Sequence, residues 1–211
     1  MKLITNKTKG GLTNPEFTEY LKTPVLKSEF TQKEADSLHA TLAEALKQYP
    51  GLGIAATQIG IKKRACLINV RDTEIFLLNP MITETSNELY VFYEGCLSIP
   101  KTMDIPLRTV RFTKIKVQTD NLGELTFEIN PENDGKDNQV SDETLLTTIV
   151  QHEIDHLDGM TIRDRVYTTT VENKNKYGRN EKILMKSPTN EFVEVKYKKA
   201  NEYFLQGYEI V

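Results

Sequence analysis

SDETLLTTIVQHEIDHLDG, residues 141–159, decides how the rest of the chain is read. Ser141 is a candidate helix N-cap, and Asp142 and Glu143 fall in the first turn, where the macrodipole favours anions. Leu145, Leu146, Ile149, Val150, Ile154 and Leu157 form an apolar stripe, and Gly159 stands where a C-terminal cap is needed. A helix apolar over so much of its surface is expected at the centre of a fold. Yet its last turns also carry His152, Glu153, Asp155 and His156. On a helix, residues four apart lie one above the other, so both imidazoles can reach one metal ion.

Around this helix the pattern is mixed. The chain opens on a polar start. Gln32 to Tyr49 then has apolar residues at Ala35, Leu38, Leu42, Ala45 and Leu46, which is helical spacing, with Thr31 as N-cap and Pro50 beyond the end. GLGIAATQIG (51–60) follows, then strand-like RACLINV (64–70) and EIFLLNP (74–80), with Asn79-Pro80 as a turn. ELYVFYEGCLSIP (88–100) alternates and then meets a glycine. VRFTKIKVQT (110–119) and ELTFEI (124–129) flank Asp120-Asn121-Leu122-Gly123 as a hairpin. PENDGKDNQVSDE (131–143) reads as a surface loop. The expected fold is α+β: short antiparallel sheets packed around the central helix that carries the histidines.

The texture changes near residue 168. TTTVENKNKYGRNEK (168–182) is linker-like, KILMK and EFVEVKYKK are a strand pair, and NEYFLQGYEIV is a short helix or extended tail. Residues 1–168 are therefore taken as the core domain and 169–211 as an atypical C-terminal extension. Lys196, Lys198 and Lys199 in that extension read as a solvated strand face rather than an RNA contact.

Composition narrows the classes of function. The chain has 211 residues, 38% apolar and 27% charged, with a formal net charge of −3. That balance offers no basic field to recruit DNA or an acidic membrane. The first residues lack the apolar core of a signal peptide, and no run approaches the roughly 18 apolar residues of a membrane span. Two cysteines are too few for a disulfide framework, so a reducing cytoplasm is expected, where a thiolate is free to bind metal.

A third protein ligand for the metal must come from elsewhere in the chain. An extended HExxHxxGxxH motif would need histidine at position 162, which is Ile162. Glu172 and Glu181 fall in polar, non-helical surroundings. The remaining histidine, His39, is placed at the rim of its helix. Cys66 sits in RACLINV and is expected to be plain core packing. Cys96 follows Glu94-Gly95, where a glycine inside a strand pattern marks a bulge or a close approach. Cys96 is the best third ligand. Cys-His-His leaves one tetrahedral position open, the arrangement of a catalytic centre rather than a structural one.

Three blocks in order, GLGIAATQIG (51–60), EGCLSIP (94–100) and QHEIDHLDG (151–159), resemble the peptide deformylase family over about residues 45–165. The resemblance implies removal of the formyl group from the N-terminal formyl-methionine of nascent chains, with release of formate. It implies Cys96, His152 and His156 as metal ligands and Glu153 as general base. It further implies the Gln58 side-chain amide and the Leu97 backbone N–H as oxyanion donors. Gly51 and Gly53 suit a backbone that runs close to substrate, beside Gly95. Ile149 shares the metal face of the helix, Leu145 lies one turn back, and by resemblance Leu52 and Phe92 join them around the methionine side chain. Asp155 is expected to stand behind the ligands, with Arg108 as its ion-pair partner.

One divalent ion is expected, Fe2+ by resemblance, with Zn2+, Ni2+ or Co2+ able to substitute. The C-terminal helix that helps some bacterial members dock on the ribosome is not evident here, which puts ribosome association by that route in doubt. A compact chain with an unfamiliar tail also suits a phage-encoded protein acting in a bacterial host. Two other readings stand against the deformylase: a zinc endopeptidase built on HExxH, and a non-catalytic metal-binding module. Ile162 weighs against the first. Gln58 and Glu153 weigh against the second, since binding alone needs neither a base nor an oxyanion donor.

Overall fold

The computed structural model describes residues 1–7, 13–130, 140–167, 180–187, 191–200, 203 and 208–210. The chain divides into two compact units, Met1–Val166 and Tyr167–Val211.

In the first unit, strand β1 (Gly53–Ala55) pairs with β2 (Ala65–Val70), and β2 pairs with β3 (Thr73–Leu78), all antiparallel. A second antiparallel sheet has β7 (Lys114–Thr119) between β4 (Met81–Thr85) and β8 (Gly123–Glu128). A third has two strands, β5 (Leu89–Glu94) and β6 (Leu107–Phe112). Helices α1 (Pro15–Leu21), α2 (Gln32–Gln48), the short α3 (Lys101–Asp104) and α4 (Asp142–Leu157) complete the unit.

Strand β2 explains why the core has two compartments. Its side chains alternate between faces. Ala65 and Leu67 pack with Leu38, Leu42 and Ala45 of α2. Cys66, Ile68 and Val70 pack with Val150, Ile154 and Leu157 of α4. Both faces are covered, so the strand reads as a nearly continuous apolar run. Cys66 is core packing, as expected.

The two long helices start where their capping residues put them. Thr31 accepts from the Glu34 N–H at 3.2 Å while the Glu34 carboxylate accepts from the Thr31 N–H at 2.8 Å, a reciprocal capping box. Ser141 accepts from the Thr144 N–H at 3.2 Å. Past the other end of α4, Gly159 has φ +73°, a left-handed conformation that glycine adopts without steric cost. Helix α4 packs on β1, β2 and β8, and its last turns, Val150 through Leu157, are buried.

Two features depart from the sequence reading. The polar start contains α1, entered through Asn14, whose side chain accepts from the Glu16 N–H at 3.1 Å, with Pro15 in its first turn. The run 110–119 is not one strand. It breaks at Thr113, where the chain leaves β5 as partner (Phe112 opposite Leu89) and takes up β4 (Ile115 opposite Thr85) and β8. The Thr113 N–H donates to the Glu88 carbonyl at 3.1 Å across this exchange. The hairpin after it is as expected, with Thr119 opposite Gly123.

The second unit pairs β9 (Lys182–Lys186) with β10 (Phe192–Lys196), the expected strand pair, and sets β11 (Glu209–Ile210) on the other side of β9. Ile183, Met185, Val195 and Ala200 form its small core with Tyr197, Tyr203 and Tyr208. Most of the linker-like stretch 168–182, the loop 131–139 and much of the final tail lie outside the described residues. Among the described residues, no helix is long and apolar enough to cross a membrane.

Candidate active site

Helix α4 presents His152 and His156 one turn apart, and the turn after β5 presents Cys96. One donor atom from each lies within 4.8 Å of the others, and all three residues are buried. The Cys96 Sγ is 3.4 Å from His156 Nε2. A tetrahedral ion with one thiolate and imidazole ligands has ligand–ligand separations of roughly 3.3–3.6 Å. The donor set therefore fits a metal ion in type, and the Cys96–His156 separation fits one in spacing. Backbone geometry holds the thiol in place: the Cys96 N–H donates to Thr102 Oγ1 at 2.9 Å, and the Ile99 N–H donates to the Cys96 carbonyl at 2.8 Å.

Behind the cluster runs a chain of buried charges. Glu94 Oε2 lies 2.7 Å from His152 Nδ1, which directs the other ring nitrogen toward the cluster. Arg111 donates to both Glu94 oxygens, at 2.6 and 2.7 Å, and Thr109 Oγ1 donates to Oε1. The other arm of Arg111 reaches Asp155 Oδ2 at 2.6 Å, and Arg165 reaches Asp155 Oδ1 at 2.8 Å. Two carboxylates and two guanidiniums balance, so no member is left as an uncompensated buried charge.

Arg108 is not the partner of Asp155, contrary to the sequence expectation. Arg108 lies across from Tyr93 on the paired strand, with its guanidinium carbon 5.9 Å from the ring centroid. Residues 108 and 111 lie on opposite faces of β6, and Thr109 and Arg111 are the buried ones.

The surroundings tune each group. Burial works against the ionised form of Glu94, but hydrogen bonds from His152 and Arg111 prevail and hold it well below the usual carboxylate range. Burial also opposes the charged form of His152, yet Cys96 and Glu94 hold its proton well above the usual imidazole range. His156 is driven well below that range by burial and then by the charge of His152. Burial pushes Glu153 up to about 7. A bound dication requires both imidazoles neutral and the thiol ionised, so metal uptake releases protons.

Cys96, His152 and Glu153 open on a cleft of about 180 Å³. Gln58, Glu153, Cys96 and His152 line it together with Gly51, Leu52, Gly53, Phe92, Gly95, Leu97, Leu145 and Ile149. Every residue expected at the substrate thus faces one space. Gln58 is oriented: its Oε1 accepts from the Ala55 N–H at 2.8 Å and its Nε2 donates to Ser98 Oγ at 3.2 Å. The amide keeps a second N–H. Glu153 Oε2 is buried with no hydrogen-bond partner among the described residues, an acceptor aimed into a polar site. Gly53 is required by close approach, since a Cβ there would sit 2.7 Å from Glu153 Oε1 and 2.8 Å from Ile149 Cγ2.

Sequence reasoning missed Tyr93 and Met103, which also line the cleft, and the supporting roles of Glu94, Arg111 and Arg165. His39 stays apart, as expected: it lies 3.0 Å from Glu74 and stacks on Phe76.

Comparison with known proteins agrees with this geometry. A family model described as polypeptide deformylase matches residues 17–172. The peptide deformylase of Dictyoglomus thermophilum is 34% identical over 156 residues, covering 74% of this chain and 92% of that protein. A solved peptide deformylase from Synechococcus elongatus in complex with actinonin superposes with TM-score 0.60 and 26% identity, over 80% of each chain. One from Acinetobacter baumannii does so with TM-score 0.57 and 26% identity, over 78% of this chain and all of that one. The mixture of helices and small antiparallel sheets is the one those structures share. A match of this extent, spanning the segments that bring Cys96, His152 and His156 together, makes the chain a member of the peptide deformylase family.

Proposed function

We propose that residues 1–168 hydrolyse the formyl group from the N-terminal formyl-methionine of nascent peptides, releasing formate and a free amine. The observation that carries this reading is the convergence of Gln58 and Glu153 on one cleft with Cys96 and His152, which cluster with His156 behind them.

In this reading α4, which carries both histidines, is the organising element. Cys96, His152 and His156 would hold a divalent cation, which would supply Lewis acidity toward water and the formyl oxygen. Glu153 takes the proton of the attacking water and delivers it to the leaving amine, and its elevated pKa of about 7 suits a group that must do both. Gln58 Nε2 and the Leu97 N–H donate to the oxygen on which negative charge develops. Leu145, Ile149, Phe92 and Leu52 hold the methionine side chain. Gly51, Gly53 and Gly95 let the peptide backbone approach. Glu94, Arg111, Asp155 and Arg165 keep His152 turned toward the cluster.

One thiolate and two imidazoles suit Fe2+, Zn2+, Co2+ or Ni2+, and the family resemblance favours Fe2+. The substrate places the enzyme in a bacterial cytoplasm, its own or a phage's host. Residues 169–211 are an addition to which no step is assigned, and ribosome docking through a C-terminal helix is not part of the proposal.

The test is formate release from formyl-Met-Ala-Ser by anaerobically iron-loaded protein, with Glu153→Ala beside it. Release by the wild type alone is expected. No release from protein that holds the metal would overturn the reading.

A further inference from the structure

The two proposed oxyanion donors stand in different segments of the chain. Gln58 is in the short helical turn after β1, and Leu97 is in the tight turn between Cys96 and Ile99. Their side chains meet the same cleft, and the Gln58 amide is bonded to Ser98 Oγ. A third segment, residues 4–6, ties the two together a second time. The Ile4 N–H donates to the Gln58 carbonyl at 2.7 Å, and the Asn6 N–H donates to the Ser98 carbonyl at 2.8 Å. Ile4 is buried, and so are Gln58 and Ser98.

The bond from Asn6 belongs to a longer chain. A peptide unit is planar, so fixing its carbonyl also fixes the N–H on its other side. The Ser98 carbonyl and the Ile99 N–H share one unit, and that N–H donates to the Cys96 carbonyl at 2.8 Å. The Cys96 carbonyl and the Leu97 N–H share another. At the far end, the Thr5 carbonyl and the Asn6 N–H share a third, and Asn14 Nδ2 donates to the Thr5 carbonyl at 2.9 Å. Three peptide units therefore run head to tail from the buried Asn14 side chain to the Leu97 N–H. Hydrogen bonds in such a chain polarise one another, by roughly 10–30% per bond. The head is anchored, because Asn14 Oδ1 also accepts from the Glu16 N–H at 3.1 Å and so caps α1.

We infer that Asn14, Asn6 and Ile4 are positioning residues for the hydrolysis. Through the chain of peptide units, Asn14 and Asn6 set the direction and strength of the Leu97 N–H as an oxyanion donor, and Ile4 holds Gln58 beside it. This rests on the deformylase reading and gives α1 and the segment before it a part in the reaction. The physical source is preorganisation: donors already aimed at the developing charge need no rearrangement when it forms.

The test uses metal-loaded, full-length protein in which the α-hydroxy analogue of Asn6 replaces that residue, so that a backbone ester removes its N–H. With formyl-Met-Ala-Ser, kcat is expected to fall about tenfold at unchanged KM and metal content, since the donor is weakened rather than lost. Inhibition by the product Met-Ala-Ser, which develops no oxyanion, is expected to match the wild type. Asn14→Ser keeps an acceptor for the Glu16 N–H and drops the bond to Thr5, and leaves the backbone untouched. It is expected to lower kcat about threefold in the same manner. In zinc-loaded protein the Leu97 amide proton is expected to move upfield in both variants. An unchanged kcat in either variant, or a fall matched by weaker product binding, would overturn the positioning role alone. No formate from the wild type would overturn the deformylase reading and the role with it.

Discussion

Strand β2 around Cys66 and the turn after β5 around Cys96 present the same residue at the same depth. Cys66 is 0% exposed and Cys96 1%. Burial therefore does not distinguish them; their neighbours do. Cys66 lies among Ala55, Ile68, Leu77 and Ile154, and burial, followed by the charge of Glu153, pushes its thiol well above the usual range. Cys96 faces His156 Nε2 at 3.4 Å across a cluster of donors and lines the cleft. A thiol packed only against hydrocarbon is inert. One set among imidazoles is placed to serve as a ligand.

The largest expected effects come from the Cys96 side. Cys96→Ala should lose both metal and turnover, measured as metal content and formate release, whereas Cys66→Ala should retain both. If the two variants lost metal equally, the contrast would fail. Glu153→Gln should keep the metal and lose about 10²–10⁴-fold in kcat, the usual worth of a positioned base. Gln58→Ala removes an oriented donor and should cost about 10²–10³-fold in kcat with metal content unchanged. An effect confined to KM would argue against an oxyanion role.

Smaller effects sharpen the comparison from the outside. Asp155→Ala breaks the Arg111 and Arg165 contacts and should weaken metal affinity about 10–100-fold, measured by competition with a chelator. Unchanged affinity would detach the charge chain from the site. Cys66→Ala should cost about 1–2 kcal/mol of stability in denaturant unfolding, through lost packing alone. In metal-stripped native protein, iodoacetamide should label Cys96 and spare Cys66, and metal should protect Cys96. Labelling of Cys66 first would contradict the packing described for β2.

The legible parts of this molecule were those with a local physical signature. Ser141 and Thr31 announce their helices through capping chemistry, and Asp120 to Gly123 announces a hairpin. The cluster of Cys96, His152 and His156 was legible because histidine and cysteine are scarce, leaving Cys96 by elimination. The rest depended on nonlocal pairing. Helix α1 has seven residues and one buried apolar side chain, Leu21, too little for a periodic signal. The break at Thr113 is a change of strand partner within one alternating run, which composition does not mark.

Strand β6 was misleading in a more instructive way. Leu107, Val110 and Phe112 are its bulky apolar residues, yet the fully buried positions are Thr109 and Arg111. Their face turns toward Glu94, so the inward side of the strand is polar there and the usual pattern points the wrong way. Arg111 stands on that face and meets Asp155, and Arg108 stands on the other. Tyr93 and Met103 are exposed apolar residues, and only the closed cleft reveals what they surround.

In the proposed centre, Cys96, His152 and His156 hold one metal ion while Cys66 stays out of it. X-ray absorption at the metal edge, on loaded wild type, Cys66→Ala and Cys96→Ala, tests it most directly. One sulfur and two imidazole nitrogens are expected around the ion in wild type and in Cys66→Ala, and no sulfur around any ion still held by Cys96→Ala. Sulfur persisting in Cys96→Ala, or missing from the wild type, would contradict it.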